Sequence, residues 1–94
     1  MHKALLLLKK IPKSKVTTYG ELARICKTSP RAIGRIMKHN PSPEVYPCYK
    51  IVGNGGKLVG YSGIGGLKTK LKLLKKDGIK IANGKVDKKH FYRF

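Results

Sequence analysis

Apolar residues fall along the chain in short clusters whose spacing changes from segment to segment, and each change predicts an element. Ala4 to Leu8 are an unbroken apolar run inside Met1–Lys10, and Pro12 closes the segment because proline cannot continue a helix. A short leucine-rich helix is expected there. Leu22, Ala23, Ile25 and Cys26 repeat at i, i+1, i+3 and i+4, which is one helical face. Thr18-Tyr19-Gly20-Glu21 fits a capping box at its start, with the Thr18 hydroxyl accepting from the Glu21 amide and the Glu21 carboxylate reaching back to the Thr18 amide. After a two-residue link, Ser29-Pro30 supplies an N-cap and a first-turn proline for a second helix to His39. Here Ala32, Ile33, Ile36 and Met37 share one face, while Arg31, Arg35 and Lys38 share the other. Two short helices with a tight link, an arginine stripe and a Gly34 allowing close approach predict a helix-turn-helix.

Asn40-Pro41-Ser42-Pro43 then ends the helical pattern. Val45–Val52 (VYPCYKIV) is rich in β-formers and reads as a strand interrupted by Pro47. Gly53-Asn54-Gly55-Gly56 predicts a turn, with Lys57–Ser62 returning antiparallel and a glycine loop following. Leu67, Leu71 and Leu74, with five interleaved lysines, predict a third substantial helix over Leu67–Lys76, ended by Gly78. Ile79–Ala82, Asn83-Gly84 and Lys85-Val86 read as a short hairpin. The fold class is mainly α with a small β element, a winged-helix-like single domain over 1–94, without internal repeats.

Composition turns this fold towards a polyanionic partner. The 94 residues carry 22 Lys+Arg against 4 Asp+Glu, a formal net charge of +18. That charge disfavours a compact free state but suits nucleic acid. Eighteen of the cations are lysines, which favours a broad phosphate-seeking field over bidentate base reading. Met1–Lys10 mimics a signal peptide, yet its apolar run is too short and lacks a small-residue cleavage site. Nothing approaches the roughly 20 apolar residues of a membrane span. Cys26 and Cys48 make no disulfide framework, so a cytoplasmic, nucleoid-associated monomer is expected. His2, Cys26, His39, Cys48 and His90 lack paired ligand spacing, which argues against a metal site. Cys26 reads as a small buried hydrophobe. Cys48 follows stiffening prolines in a positive field that favours thiolate, so a nucleophile is plausible there.

Val16-Thr17-Thr18-Tyr19-Gly20-Glu21-Leu22-Ala23, Ser29-Pro30-Arg31-Ala32-Ile33-Gly34, Asn40-Pro41, Pro47-Cys48 and Gly60-Tyr61-Ser62-Gly63 occur in order. Over about 11–78 this resembles the DNA-binding, cysteine-bearing domain of O6-alkylguanine-DNA alkyltransferases, with 79–94 as a tail. The resemblance implies a repair protein that binds duplex DNA containing O6-alkylguanine through the helix-turn-helix. It would flip the damaged guanine out and move its alkyl group irreversibly onto a cysteine, without a cofactor. Cys48 sits at the acceptor position and Arg31 at the arginine that fills the gap in the base stack. Tyr19 matches the tyrosine that crowds the target phosphate, and Asn40 the asparagine that orders the cysteine's surroundings. Pro43, Tyr61 and Ser62 match pocket-wall and base-contacting positions. The carbonyls of Cys48 and Ile51 would read the guanine's exocyclic amine, and Arg35 and Lys38 extend the DNA-facing stripe.

Two positions depart from the family pattern. Its Pro-Cys-His-Arg reads Pro47-Cys48-Tyr49-Lys50, so a tyrosine stands where a histidine relays the cysteine's proton to a glutamate, a place Asp77 is expected to take. A phenol of pKa ~10 is a poor base at neutral pH, where imidazole at ~6.5 is a good one. Three outcomes stay open: Tyr49 substitutes for the histidine, transfer relies on the electropositive surroundings alone, or the chain flips without transfer, as alkyltransferase-like proteins do. The retained Cys48 favours transfer. A plain helix-turn-helix regulator is the alternative from another class, and it leaves Pro47-Cys48 and Gly60-Tyr61-Ser62 without a purpose. Most lysines of the third helix are expected in solvent, and Phe91, Tyr92 and Phe94 are expected to close a core.

Overall fold

Local capping places the helices. In the computed structural model, which describes residues 2–42, 45–58 and 66–94, His2 Nδ1 accepts from the Ala4 amide at 3.0 Å and starts α1 (Lys3–Leu8). Thr18 Oγ1 accepts from the Glu21 amide at 3.0 Å and starts α2 (Tyr19–Cys26). Ser29 Oγ accepts from the Ala32 amide at 3.1 Å and starts α3 (Pro30–Lys38), with Pro30 where a missing N–H costs nothing. Lys27, in the left-handed region at φ 54°, turns the chain between α2 and α3. The predicted helix-turn-helix is therefore present. Only half of the capping box forms. The Glu21 carboxylate turns instead to Arg24, one helical turn on, with two bonds of 3.2 and 3.0 Å.

The central segment differs most from its pattern. Val45–Val52 is not one strand: Cys48–Lys50 winds into a single 3-10 turn, and Ile51–Val52 alone are extended. Their partner is also unexpected. β2 (Ile51–Val52) lies parallel to β1 (Thr17–Thr18), pairing Thr17 with Ile51 and Thr18 with Val52, rather than antiparallel to the segment after the turn. Pro47 removes one ladder donor, and parallel pairing joins sequence-distant residues that periodicity cannot connect. Of the expected return strand, Lys57 bridges Lys85, and residues 59–62 lie outside those described.

α4 (Gly66–Lys76) ends at Gly78, at φ +83°, where a Cβ would lie 2.7 Å from Ser14 Oγ. Glycine is required there by both conformation and space. β3 (Ile81–Ala82) and β4 (Lys85–Val86) form the predicted hairpin, with Asn83 and Gly84 both at positive φ as a type I′ turn demands.

Two apolar clusters result. The first joins α1, α2 and α3 through Leu5, Leu8, Leu22, Ile33 and Met37, and it includes Cys48 and Ile51. The second gathers Val16, Val52, Leu74, Ile79 and Val86 under α4 and the hairpin. Burying each such aliphatic side chain is worth about 1.5–3 kcal/mol. Residues 48–52 stand between the two clusters and contribute to both. The tail aromatics close these cores as expected, Phe91 against the second and Tyr92 and Phe94 against the first.

Candidate functional site

The turn carrying Cys48 is pinned residue by residue. Tyr46 O accepts from the Cys48 amide at 2.7 Å and from Asn40 Nδ2 at 2.8 Å, while Asn40 Oδ1 accepts from the Ser42 amide at 3.0 Å. Asn40 thus fixes the approach to the thiol from the end of α3. Pro47 O accepts from the Lys50 amide at 3.1 Å and closes the turn. Cys48 is buried, with 6% of its surface accessible.

Lys50 follows, and it too is buried. Its Nζ donates to Pro12 O at 2.9 Å and pairs with Asp77 Oδ2 at 2.8 Å. Asp77 also accepts from the Ser14 amide at 3.2 Å, and its own carbonyl accepts from Ser14 Oγ at 2.7 Å. Asp77 therefore lies at the end of α4 as expected, but its carboxylate locks the cysteine turn to α4 and to the 12–15 loop through Lys50. That geometry engages the carboxylate with Lys50 and the Ser14 amide.

Sequence reasoning missed Lys70. Instead of standing in solvent with Lys68, Lys72, Lys75 and Lys76, it is 1% exposed, and its Nζ donates to Ile51 O. Burial pushes its ammonium down to about 8, against which the nearby negative charge of Cys48 holds it up. The signal was its position four residues before Leu74, which puts both on one face; the predicted stripe was drawn through Leu67, which is exposed. Tyr19 is half-buried against the same cluster as Cys48. Burial, and secondly the charge of Cys48, raise its phenol above the usual 10, so it stays a donor at neutral pH.

Arg31, Arg35 and Lys38 are exposed on α3. The Tyr19 ring lies beside Gly34, but a Cβ there would meet it at 3.9 Å, an ordinary contact, so Gly34 is not required by close packing. Gly56 is required: at φ +88°, a Cβ would lie 2.5 Å from Val86 O. Its close approach is to the hairpin. The structure thus brings Tyr19, Asn40, Cys48, Ile51 and Lys70 around one turn. Tyr49 is half-buried beside the second cluster. Pro43, Tyr61 and Ser62 lie outside the described residues. No group of three or more potential metal ligands is found among the described residues, and none of their helices is long and apolar enough to cross a membrane.

Residues 1–79 match the family described as 6-O-methylguanine DNA methyltransferase, DNA binding domain. A bifunctional methyltransferase/endonuclease of Picrophilus torridus is 43% identical over 90 residues, covering 94% of this chain and 29% of that protein. A methylated-DNA–protein-cysteine methyltransferase of Pyrobaculum aerophilum is 43% identical over 78 residues, covering 83% and 51%. The chain thus spans about half or less of these curated relatives. Among solved structures, S. pombe Atl1 in complex with damaged DNA containing O6-carboxymethylguanine aligns with a TM-score of 0.80 at 25% identity, over 98% of this chain and 93% of that one. The O6-methylguanine-DNA methyltransferase of Pyrococcus kodakaraensis aligns with a TM-score of 0.72 at 42% identity, over 82% and 44%.

Proposed function

The chain belongs to the 6-O-methylguanine DNA methyltransferase DNA-binding domain family, and we propose that it binds damaged duplex DNA and accepts the alkyl group of O6-alkylguanine on Cys48. The observation that carries this reading is a cysteine at the position the resemblance assigns to the acceptor, in a pinned turn whose Ile51 carbonyl accepts from the buried Lys70 ammonium. Duplex DNA meets the exposed stripe of α3. Low sequence specificity is expected of a repair protein, and a groove with a degenerate donor and acceptor pattern suits it. Extruding the guanine costs a few kcal/mol, which Arg31 stacked in the vacated place and the phosphate contacts offset.

The thiol first loses its proton to water, since the thiolate is the nucleophile. Its electron pair forms the bond to the alkyl carbon, the carbon–oxygen bond breaks, and that pair leaves with the guanine oxygen. The departing base takes up a proton from solvent, while the phenol of Tyr19 donates a hydrogen bond to the developing charge. The thioether is not reversed, so each molecule acts once. Lys70 serves twice in this reading: it holds the Ile51 carbonyl that meets the guanine amine, and it balances the thiolate without an imidazole at position 49.

Incubation with duplex containing O6-methylguanine, followed by intact-mass measurement, tests the reading. One methyl gained on Cys48, and none in Cys48→Ala, is the expected result. Tyr49→His is expected to accelerate transfer if the missing imidazole limits the rate. The likeness to Atl1 across nearly the whole of both chains favours a second reading, recognition of the lesion without transfer. Tight, lesion-dependent binding with Cys48 unmodified selects that one.

A further inference from the structure

The tail beyond residue 79 lies outside the family match, yet it is stitched to the strand that leads into the helix-turn-helix. The Val16 amide donates to His90 O at 2.7 Å and the Tyr92 amide to Val16 O at 2.8 Å. His90 is buried and bonded on both ring nitrogens, with Nδ1 2.8 Å from Ser14 O and Nε2 accepting from the Lys80 amide at 2.9 Å. The Phe94 amide reaches Glu21 Oε2 at 3.4 Å. So fixed, the tail forms one wall of a cleft of ≈ 350 Å³ whose other wall is β1 and the first turn of α2. That volume is at the small end of ligand sites, ~300–1,000 Å³.

The cleft is lined by Thr17, Thr18, Glu21, Lys88, Phe91, Tyr92 and Arg93, residues chemically matched to a nucleotide unit. Lys88 and Arg93 are exposed cations, and Phe91 and Tyr92 are half-buried, Phe91 packed against the second apolar cluster and Tyr92 against the first. Glu21 is already engaged by Arg24, and Arg93 adds to the charges holding its carboxyl below the ordinary range. A second and independent sign is Thr17: it is 1% exposed, and its Oγ1 is a buried oxygen without a hydrogen-bond partner among the described residues. Buried hydroxyls are ordinarily satisfied. The cleft also adjoins Tyr19 in sequence, the residue assigned above to the target phosphate.

We propose that this cleft seats one nucleotide of the damaged strand close to the extruded base, its phosphodiester on Lys88 and Arg93 and its base against the Phe91 and Tyr92 rings. The proposal rests on the DNA-binding reading above. It gives the tail a function: extending the grip along the strand beyond the reach of α3. Stacking on aromatic rings with cations on the backbone is tolerant of sequence, as a scanning protein needs.

Equilibrium binding of the full chain to a lesion-bearing duplex, measured across a salt series, tests it. Lys88→Ala with Arg93→Ala is expected to weaken binding about tenfold and to lower the steepness of log K against log salt by about 1, for the one phosphodiester the pair neutralises. Lys75→Ala with Lys76→Ala, the same loss of charge at the far end of α4, is the control and is expected to change binding less than about twofold. Thr17→Val, which removes only the orphan hydroxyl, is expected to weaken binding at unchanged slope. If the tail pair behaves as the α4 pair does in both affinity and slope, the cleft is not a nucleotide site. Mass measurement on the same wild-type samples separates the two readings, because loss of binding in the tail pair with no methyl on wild-type Cys48 retains the cleft and removes transfer.

Discussion

Arg31, Arg35 and Lys38 stand in solvent along α3, whereas Lys50 and Lys70 are closed off at the turn that carries Cys48. Exposed cations cost little to hold and act at a distance, through a field that salt screens over about 10 Å. Buried ones forfeit hydration and persist only where specific partners compensate. Lys50 has an ion pair and a carbonyl; Lys70 donates to the Ile51 carbonyl. One composition, read from sequence as a broad positive field, thus divides into charge left in solvent along α3 and charge that holds the Cys48 turn in place.

Removing a partner from the buried side should have the largest effect. Asp77→Ala leaves the Lys50 ammonium enclosed without its carboxylate, and breaking a buried pair in this way costs roughly 3–5 kcal/mol. Against a total stability of about 5–15 kcal/mol this is severe, and denaturant unfolding will register it. Replacing both partners together, Lys50→Met with Asp77→Leu, is expected to recover most of the loss, since the charge and its counter-charge then vanish together.

Lys70 sharpens the contrast through its pH dependence. Its folded value of about 8 lies below the ordinary 10.5, so between those pH values the unfolded chain holds a proton that the folded chain has released. Stability therefore rises with pH across that window, by about 3 kcal/mol for a shift of this size. Lys70→Met lacks the rise. Comparing its unfolding free energy with that of the wild type at pH 7.5 and pH 10.5 cancels the titration of the exposed lysines. A gap that does not change with pH would mean that Lys70 is not desolvated as the structure places it.

On the exposed side the effects are those of helix ends. Ser29→Ala removes the acceptor for the Ala32 amide and should lower stability by about 1 kcal/mol, read from a thermal melt. The loss falls on the helix that carries the exposed Arg31, Arg35 and Lys38 stripe.

The same division explains what the sequence disclosed. Thr18, Ser29, Lys27 and Asn83-Gly84 act on neighbours within a few residues, so the helix starts, the tight link and the hairpin turn were legible from local chemistry. Cys48, Tyr19, Arg31 and Asn40 could be singled out as candidates because they sit in recognisable motifs. What escaped depends on contacts between distant segments. Nothing near Ile51 announces a parallel partner at Thr17, and the spacing of Lys70 to Leu74 puts the two on one face without saying that this face turns inward under Val52 and Val16. Glu21 shows the limit even of local rules, because Arg24 and the Phe94 amide compete for the carboxylate that the capping box assigns to Thr18.

Gly34 separates the two regions at their point of contact, since α3 meets Tyr19 there on the way to Cys48. If the glycine were needed for that contact, a methyl group would drive the ring away and loosen the first core. The structure instead gives an added Cβ an ordinary 3.9 Å separation from Tyr19 Cε1. In mid-helix, alanine loses less backbone entropy on folding than glycine, by up to about 1 kcal/mol. Gly34→Ala is therefore expected to raise stability by about 0.5–1 kcal/mol in urea unfolding. A loss of stability instead would place the Tyr19 ring tighter on α3 than this geometry allows, and would make the glycine a packing requirement of the first core.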